Sequence, residues 1–505
     1  MLIRVLNTVR YLKPVQVYSR VFRGRPRVTS PNQPIVVRDA TGSWSGAIPR
    51  HCPLVGPNRF RFLNQERTVH TWNDEGVPKL WLYNLHYFER PNGELIQKWI
   101  AENPTGEGNG WEPYPLSLRI PNWIKWNLAG NRLDLSVLAS LVVQAEFLRQ
   151  SVEYHLLGNH LLANGKALAF AGAYFQGHQA NRWRGIGLEI LRQEIREQIL
   201  PDGGHFERSP MYHSLILEDL LDLINMAAVF PSAIPDADCQ AWRDTASRMS
   251  GWLASMSHSN GRISFFNDAA FGIAPEQAAL DHYADRLGVI GRKCRLNESG
   301  YIRLESGSTV VLFDAAPVGP DYQPGHGHAD TLSFEVSHRG ETVLVNSGTS
   351  TYEAGFLRSQ QRSTRAHNTA SVDDLDSSEV WRAFRVGRRA RPFDVKTDHR
   401  SFAEAAHSGY HRLRHPITHR RRLELEGKVL RVIDNFEGSG EHRLKLFFHL
   451  HPNNDSIPIL DSQLTRSIES TQWYPEFNMA VPNHTVIGSW KGECPASFVT
   501  HIVLD

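Results

Sequence analysis

Between Asn131 and Met256 apolar side chains return every three or four residues, as in Leu135, Leu138, Leu141, Val142, Ala145 and Leu148, then Leu217, Leu220, Leu221 and Ile224. That spacing marks one face of a 3.6-residue helix, so the stretch predicts successive amphipathic helices joined by short polar turns. Beyond about Gly288 the period shortens. Thr309–Phe313, Leu332–Val336, Thr342–Val345, Arg422–Glu426, Val429–Ile433 and Arg443–His449 alternate or run apolar between turns such as Glu426-Gly427, which predicts antiparallel strands. The chain therefore reads as an α+β multidomain protein. A lead-in covers 1–60, a helical domain whose paired helices close around a cleft covers 61–287, and an antiparallel β-domain, read as a sandwich, covers 288–505. No repeat of fixed period is present, which removes solenoid and propeller readings.

The ends of this pattern bear on location. Met1–Leu12 is basic and amphipathic but lacks the apolar core and small-residue cleavage site of a signal peptide, so a cytoplasmic chain is the default expectation, with a periplasmic or membrane-peripheral one as the alternative. No apolar run reaches the length of about 18 residues needed to span a bilayer. Residues 1–24, with Arg4, Arg10, Lys13, Arg20 and Arg23 among Leu, Val and Tyr, suit either a helix docked on the body, the favoured reading, or one lying on a membrane surface. Residues 26–60 carry Ser30-Pro31 and Gly56-Pro57 and predict irregular or short-stranded structure.

Composition narrows the partners. A net charge of +2 over 505 residues argues against nucleic acid. Arginines nevertheless crowd two segments, Arg382–Arg391 and His419–Arg422, which are either solvated strand faces or a polyanion contact. Cys52, Cys239, Cys294 and Cys494 form no CxxC pair, so neither a disulfide framework nor a zinc knuckle is expected.

The candidate chemistry sits at the joints between elements. Ten Trp, Tyr and Phe side chains between Trp72 and Trp126, Trp111 and Tyr114 among them, would either stack on sugar rings or pack between helices. Gly158-Asn159-His160 precedes a helix, where Asn159 either caps it or projects into a cleft with His160. The loop Asp202–His213 holds Glu207 and Tyr212. Gly325-His326-Gly-His328-Ala-Asp330 places two imidazoles at i and i+2, which on an extended segment face opposite ways and divide their roles. Arg365-Ala-His367-Asn368-Thr369 adds a third imidazole beside a cation. Together these supply a phenol, imidazoles and an amide suited to moving protons. They include no nucleophile next to a base, no phosphate loop and no helical HExxH.

In their order along the chain, Asn159-His160, Ser209-Pro-Met-Tyr212-His213, His326-Gly-His328-Ala-Asp330, Asn346-Ser-Gly-Thr349 and Arg365-Ala-His367-Asn-Thr369 resemble the heparinase II/III family of polysaccharide lyases. The resemblance runs from about Trp81 to the end. It implies an incomplete (α/α) toroid followed by an antiparallel β-sandwich, acting on a uronic-acid-containing acidic polysaccharide by β-elimination. Under it Tyr212 and His326 are the catalytic pair, and Asn159 with His160 neutralises the uronate carboxylate. Arg365, Glu207, Trp111 and Tyr114 are candidate substrate contacts. His328 and His367 match ligands of a structural zinc, no organic cofactor being implied. Asn346 stands where the relatives carry an Asp, and a neutral amide is a poorer zinc ligand.

A tyrosine acting as base needs its pKa of about 10 lowered by positive charge, which Arg365 or a protonated His is expected to supply. Two other readings remain at this point. One is a toroidal glycoside hydrolase using Glu207 with Asp202 or Glu153. The other is a non-catalytic acidic-glycan-binding or assembly protein of surface polysaccharide synthesis.

Overall fold

The computed structural model describes residues 2–22, 24, 26, 27 and 34–504. Ser30-Pro31 and Arg23 lie outside the described residues. The first half is helical, as its 3.6-residue period predicts. Two short helices, α1 (Leu2–Val9) and α2 (Pro14–Val21), open the chain, and a small three-stranded sheet follows over residues 54–68. Then come α3 (Lys79–Tyr87), α4 (Gly93–Glu102), α5 (Pro113–Leu128), α6 (Leu135–Gln150), α7 (Gly158–Tyr174), α8 (His178–Gln198), α9 (Pro210–Val229), α10 (Asp236–Met256) and α11 (Gln277–Arg286).

Capping chemistry sets where several of these begin. Asp134 accepts from the Val137 amide at the start of α6, and Ser209 accepts from the Tyr212 amide at the start of α9, where Pro210 occupies the first turn. The helices share one core in which Trp81, Trp99, Trp123 and Trp183 are almost wholly buried. Most tryptophans of the aromatic-rich stretch are thus packing residues. Trp111 is one of them, 4% exposed and set against Trp99 and Phe147.

The second half is built of antiparallel sheets. One has four strands in sequence order, Tyr301–Ser306, Thr309–Asp314, Phe334–His338 and Glu341–Leu344. The other is built on Ile417–Glu426, Val429–His449 and Val481–Val503, with Val432 opposite Leu423 on one side and Thr500 on the other. Leu304, Val311 and Phe334 from the first sheet share a single apolar cluster with Leu423, Val432 and Leu446 from the second. The alternating burial of Ile417–Glu426 points every second side chain into that cluster.

One charged group is buried with them. Arg421 pairs with Asp434 at 2.8 Å and donates to the carbonyls of Leu332 (3.0 Å) and Asn368 (2.5 Å). It thereby ties the large sheet to the two loops that carry His328 and His367.

Candidate functional site

Leu157 has a left-handed backbone (φ +64°), which turns the chain sharply into α7 and sets Asn159 and His160 in its first turn. Asn159 is not the cap. Its side-chain oxygen is buried with no hydrogen-bond partner, so the amide is left unspent by the scaffold. His160 is held by Glu153, which lies 3.2 Å from Nδ1, and by the ring of Tyr114 at 4.3 Å. Asn159, His160, Tyr212 and His326 all line one cavity of about 680 Å³. Adjoining lobes of about 770 and 350 Å³ share Tyr114 and Tyr212 with it.

At the centre the rings of Tyr212 and His326 lie 3.9 Å apart, centroid to centroid, at 33°. The Tyr212 hydroxyl meets that of Tyr352 at 3.0 Å. Behind them, Asp268 is fully buried and is a four-way acceptor. It takes His326 Nδ1 at 2.8 Å, His328 Nε2 at 2.9 Å, Thr349 Oγ1 at 3.1 Å and both guanidinium nitrogens of Arg358. Burial would raise its pKa, but Arg358 and the two imidazoles overcome this and hold the carboxylate well below its ordinary range. The His at i and i+2 do divide their roles, His326 facing the cavity and His328 the interior, yet both bind the same carboxylate. Neither lies on a regular strand.

Several sequence expectations are corrected here. Arg365 is exposed and pairs with Glu469 on the neighbouring strand, because the short turn Thr364–Ala366 directs it away from the cavity. Trp111 is sealed in the helical core and cannot meet a substrate. The Tyr212 phenol is not made acidic: burial, with Tyr352 and Asp268 beside it, pushes its pKa well up.

Of the carboxylates considered as a hydrolase pair, Asp202 is consumed by structural bonds, accepting from the Gly204 amide of its own turn and from the distant Ser299. Glu153 is bound to His160 and Asn164. Glu207 stays near the centre, buried, 3.6 Å from His326 Nε2, and burial raises its pKa against the opposing pull of His326, His160 and the Asn159 backbone amide.

Asp268, Arg358 and Tyr352 were not legible as site residues. Asp268 follows Asn267, whose left-handed backbone (φ +57°) is a tertiary feature. Tyr352 lies only three residues past Thr349, a proximity that was the available signal.

The metal locus fits in part. His328 Nε2 is committed to Asp268, and His367 Nδ1 to the Ser363 carbonyl at 2.8 Å. These partners assign both protons, which leaves His328 Nδ1 and His367 Nε2 facing one another at 3.1 Å with lone pairs only. Burial pushes both rings down to about 4, so both are neutral at pH 7 and the gap suits a cation. The third position does not complete a zinc site. The Asn346 oxygen already accepts the Asn368 amide at 3.0 Å, and its nitrogen is buried without a partner. Among the described residues no group of three His, Cys, Asp or Glu is placed to hold a metal.

Sequence and fold comparisons identify related chains. Residues 67–284 match the model described as heparinase II/III N-terminus, and residues 292–487 that described as heparinase II/III-like, C-terminal. A heparin-sulfate lyase of Pedobacter heparinus is 24% identical over 445 residues, covering 79% of this chain and 62% of that protein. One from Bacteroides thetaiotaomicron is 24% identical, covering 84% and 64%. The chain thus spans less than two thirds of the length of these relatives. The FtsZ-localized protein C of Caulobacter vibrioides is 25% identical, covering 75% and 69%. Among solved structures, the fold is similar to a heparinase III crystal structure (TM-score 0.65, 20% identity, 81% of this chain and 72% of that one). It is also similar to the heparan sulfate lyase HepC of Pedobacter heparinus (TM-score 0.54, 19% identity, 86% and 78%).

Proposed function

Because the chain belongs to the heparinase II/III family, we propose that it is a polysaccharide lyase, an incomplete (α/α) toroid joined to a β-sandwich, that cleaves a uronate-containing glycan by β-elimination. The observation that carries this reading is the close Tyr212–His326 ring pair, backed by Asp268 and lining one cavity with Asn159 and His160.

The proton on C5 of a uronate is weakly acidic, and its removal builds negative charge on the adjoining carboxyl group. Asn159 and His160 are the groups placed to meet that charge. By analogy with oxyanion-hole donors, each is worth roughly 10² to 10³ in rate. His326 donates its Nδ1–H as a hydrogen bond to Asp268, which leaves Nε2 as the lone pair that takes the C5 proton. Tyr212 keeps its own proton because its pKa is raised, and it delivers that proton to the departing O4. No oxygen is added from water, so the C4–O4 bond breaks as a C4–C5 double bond forms. With the two rings paired on one side, the proton leaves and arrives on the same face of the sugar.

The charge of the cavity walls bears on the substrate. Lys79 is matched by Glu112, Lys125 by Asp222, Lys166 by Asp219 and Arg50 by Glu218. Among the described residues, Arg20 and Arg385 line the same cavity as His326 without such a carboxylate partner, so the walls keep positive charge suited to an acidic glycan.

A cation between His328 and His367, with Asn346 alongside, would hold the two loops together; when bound it supplies structural charge and takes part in no step above. The hydrolase reading loses support because Asp202 and Glu153 are both spent, leaving Glu207 without a second carboxylate. A non-catalytic role draws support from the relative named for its localisation and from Asn346.

The test is a panel of acidic polysaccharides, alginate, heparan-type and bacterial exopolysaccharides together, with products read by mass spectrometry. The lyase reading expects fragments one water lighter than hydrolysis gives. Hydrolytic masses would overturn it, and binding without turnover would favour the non-catalytic role.

A further inference from the structure

The first two helices have one flank committed to the body and another that is exposed among the described residues. On the inner flank, Thr8 Oγ1 reaches the Val386 carbonyl (3.3 Å) and accepts from Trp381 Nε1 (3.2 Å). Tyr11 lies under the Arg389 guanidinium at 4.2 Å. Lys13 pairs with Glu197 on α8, and Gln16 is buried against the Tyr322 carbonyl. The pair therefore straps helical and β halves together. Val5, Thr8 and Leu12 form part of the wall of the Tyr212 cavity.

The outer flank is apolar. Ile3, Leu6, Val17, Val21 and Phe22 are 53–80% exposed. With Tyr18 they make six of the 22 strongly exposed large apolar side chains among the described residues. A cluster this dense marks an interaction surface rather than scattered surface apolarity.

The charge of the segment selects the partner. Residues 1–22 hold Arg4, Arg10, Lys13 and Arg20 and no Asp or Glu. The adjoining hairpin of Val380–Trp381 with Arg385–Val386 adds exposed Arg382 and Arg385 beside Trp381. Apolar side chains rimmed by cations, on helices too short and too polar to cross a bilayer, are the signature of interfacial binding to an anionic lipid surface. There the apolar residues enter the headgroup boundary and each cation near the surface adds about fivefold in affinity. A soluble acidic glycan would be drawn by the cations but has no use for five exposed aliphatic and aromatic side chains.

We propose that α1 and α2 dock this protein on an anionic membrane surface, with the mouth of its cavity beside the lipid. This surface goes beyond the lyase reading and does not depend on it.

The test is sedimentation of the full-length protein, tagged at its C-terminus, with vesicles of phosphatidylcholine alone or with about a third phosphatidylglycerol. The result expected is binding to the anionic vesicles at least tenfold tighter than to the neutral ones, weakening as salt rises. Leu6→Asp combined with Val17→Asp and Phe22→Asp, none of which lines the cavity, should cut that binding at least tenfold with thermal unfolding unchanged. Arg4→Glu should cut it less. No binding by the wild type, or binding undiminished in the triple variant, overturns the proposal. So does a concentration-dependent dimer in analytical ultracentrifugation that the triple variant abolishes, since the patch would then belong to a second copy. Because the readout is lipid binding, its failure leaves the lyase reading untouched.

Discussion

The Asp268 carboxylate holds His326 by a 2.8 Å hydrogen bond at Nδ1 while Arg358 holds the carboxylate. The base of the proposed reaction is thus positioned from behind, by a residue that does not face the cavity. Fixing Nδ1 as the donor fixes Nε2 as the acceptor, which is the nitrogen that must point at substrate.

Asp268→Asn should therefore lower kcat by roughly 10²-fold or more, since an amide permits the wrong tautomer. KM should change little. A drop in kcat accompanied by loss of the folded near-ultraviolet signal would instead make Asp268 merely structural.

Asn159→Ala removes an amide whose oxygen is buried and unpartnered, so no scaffold bond is lost with it. Activity should fall roughly 10² to 10³-fold with thermal stability unchanged within error. A clear loss of stability would show that the amide supports α7 rather than the uronate carboxylate.

The same-face arrangement of Tyr212 and His326 makes a stereochemical prediction. Glycans whose C5 proton and O4 lie on one face, such as those of D-glucuronate or D-mannuronate, should be cleaved faster than their C5 epimers by at least tenfold. Matched epimeric polymers measure this directly, and equal rates would contradict the geometry.

Asp434 gives the fold a pH dependence of known sign. Burial opposes its ionisation, but Arg421 and His419 overcome this and bring its pKa down to about 2. A folded value below the unfolded value of about 3.9 stabilises the protein above the latter, by about 2.6 kcal/mol. That contribution is lost as pH falls from about 4 through about 2. Asp434→Asn should be less stable than wild type in urea at pH 7, with the gap narrowing toward pH 3. Because Arg421 reaches the Leu332 and Asn368 carbonyls, the variant should also lose activity.

Much of this was legible in the chain because it rests on short-range patterning. The 3.6-residue period found α6 through α10, and the alternating runs found the strands that share the second core. Tyr212, His326, Asn159 and His160 fell at turns into helices or beside glycines, where local chemistry signals an exposed side chain. What the sequence could not place were side chains whose direction depends on distant neighbours. Trp111 and Tyr114 lie three residues apart, yet one is locked against Trp99 and the other faces the cavity. Arg365 looked like the cation for Tyr212, but a single turn sends it to Glu469, and the buried cation at the centre is Arg358, which no local pattern announces. The N-terminal segment reads as either body-docked or surface-bound; its inner flank takes the first role, and the second is the one proposed for the flank exposed among the described residues.

The most direct measurement compares wild type with Tyr212→Phe on whichever glycan the wild type cleaves, following the ultraviolet absorbance of the unsaturated uronate. Losing only the hydroxyl should abolish that rise, by roughly 10²-fold or more, while the folded spectrum and glycan binding persist. Undiminished formation of the unsaturated product by Tyr212→Phe would contradict the account.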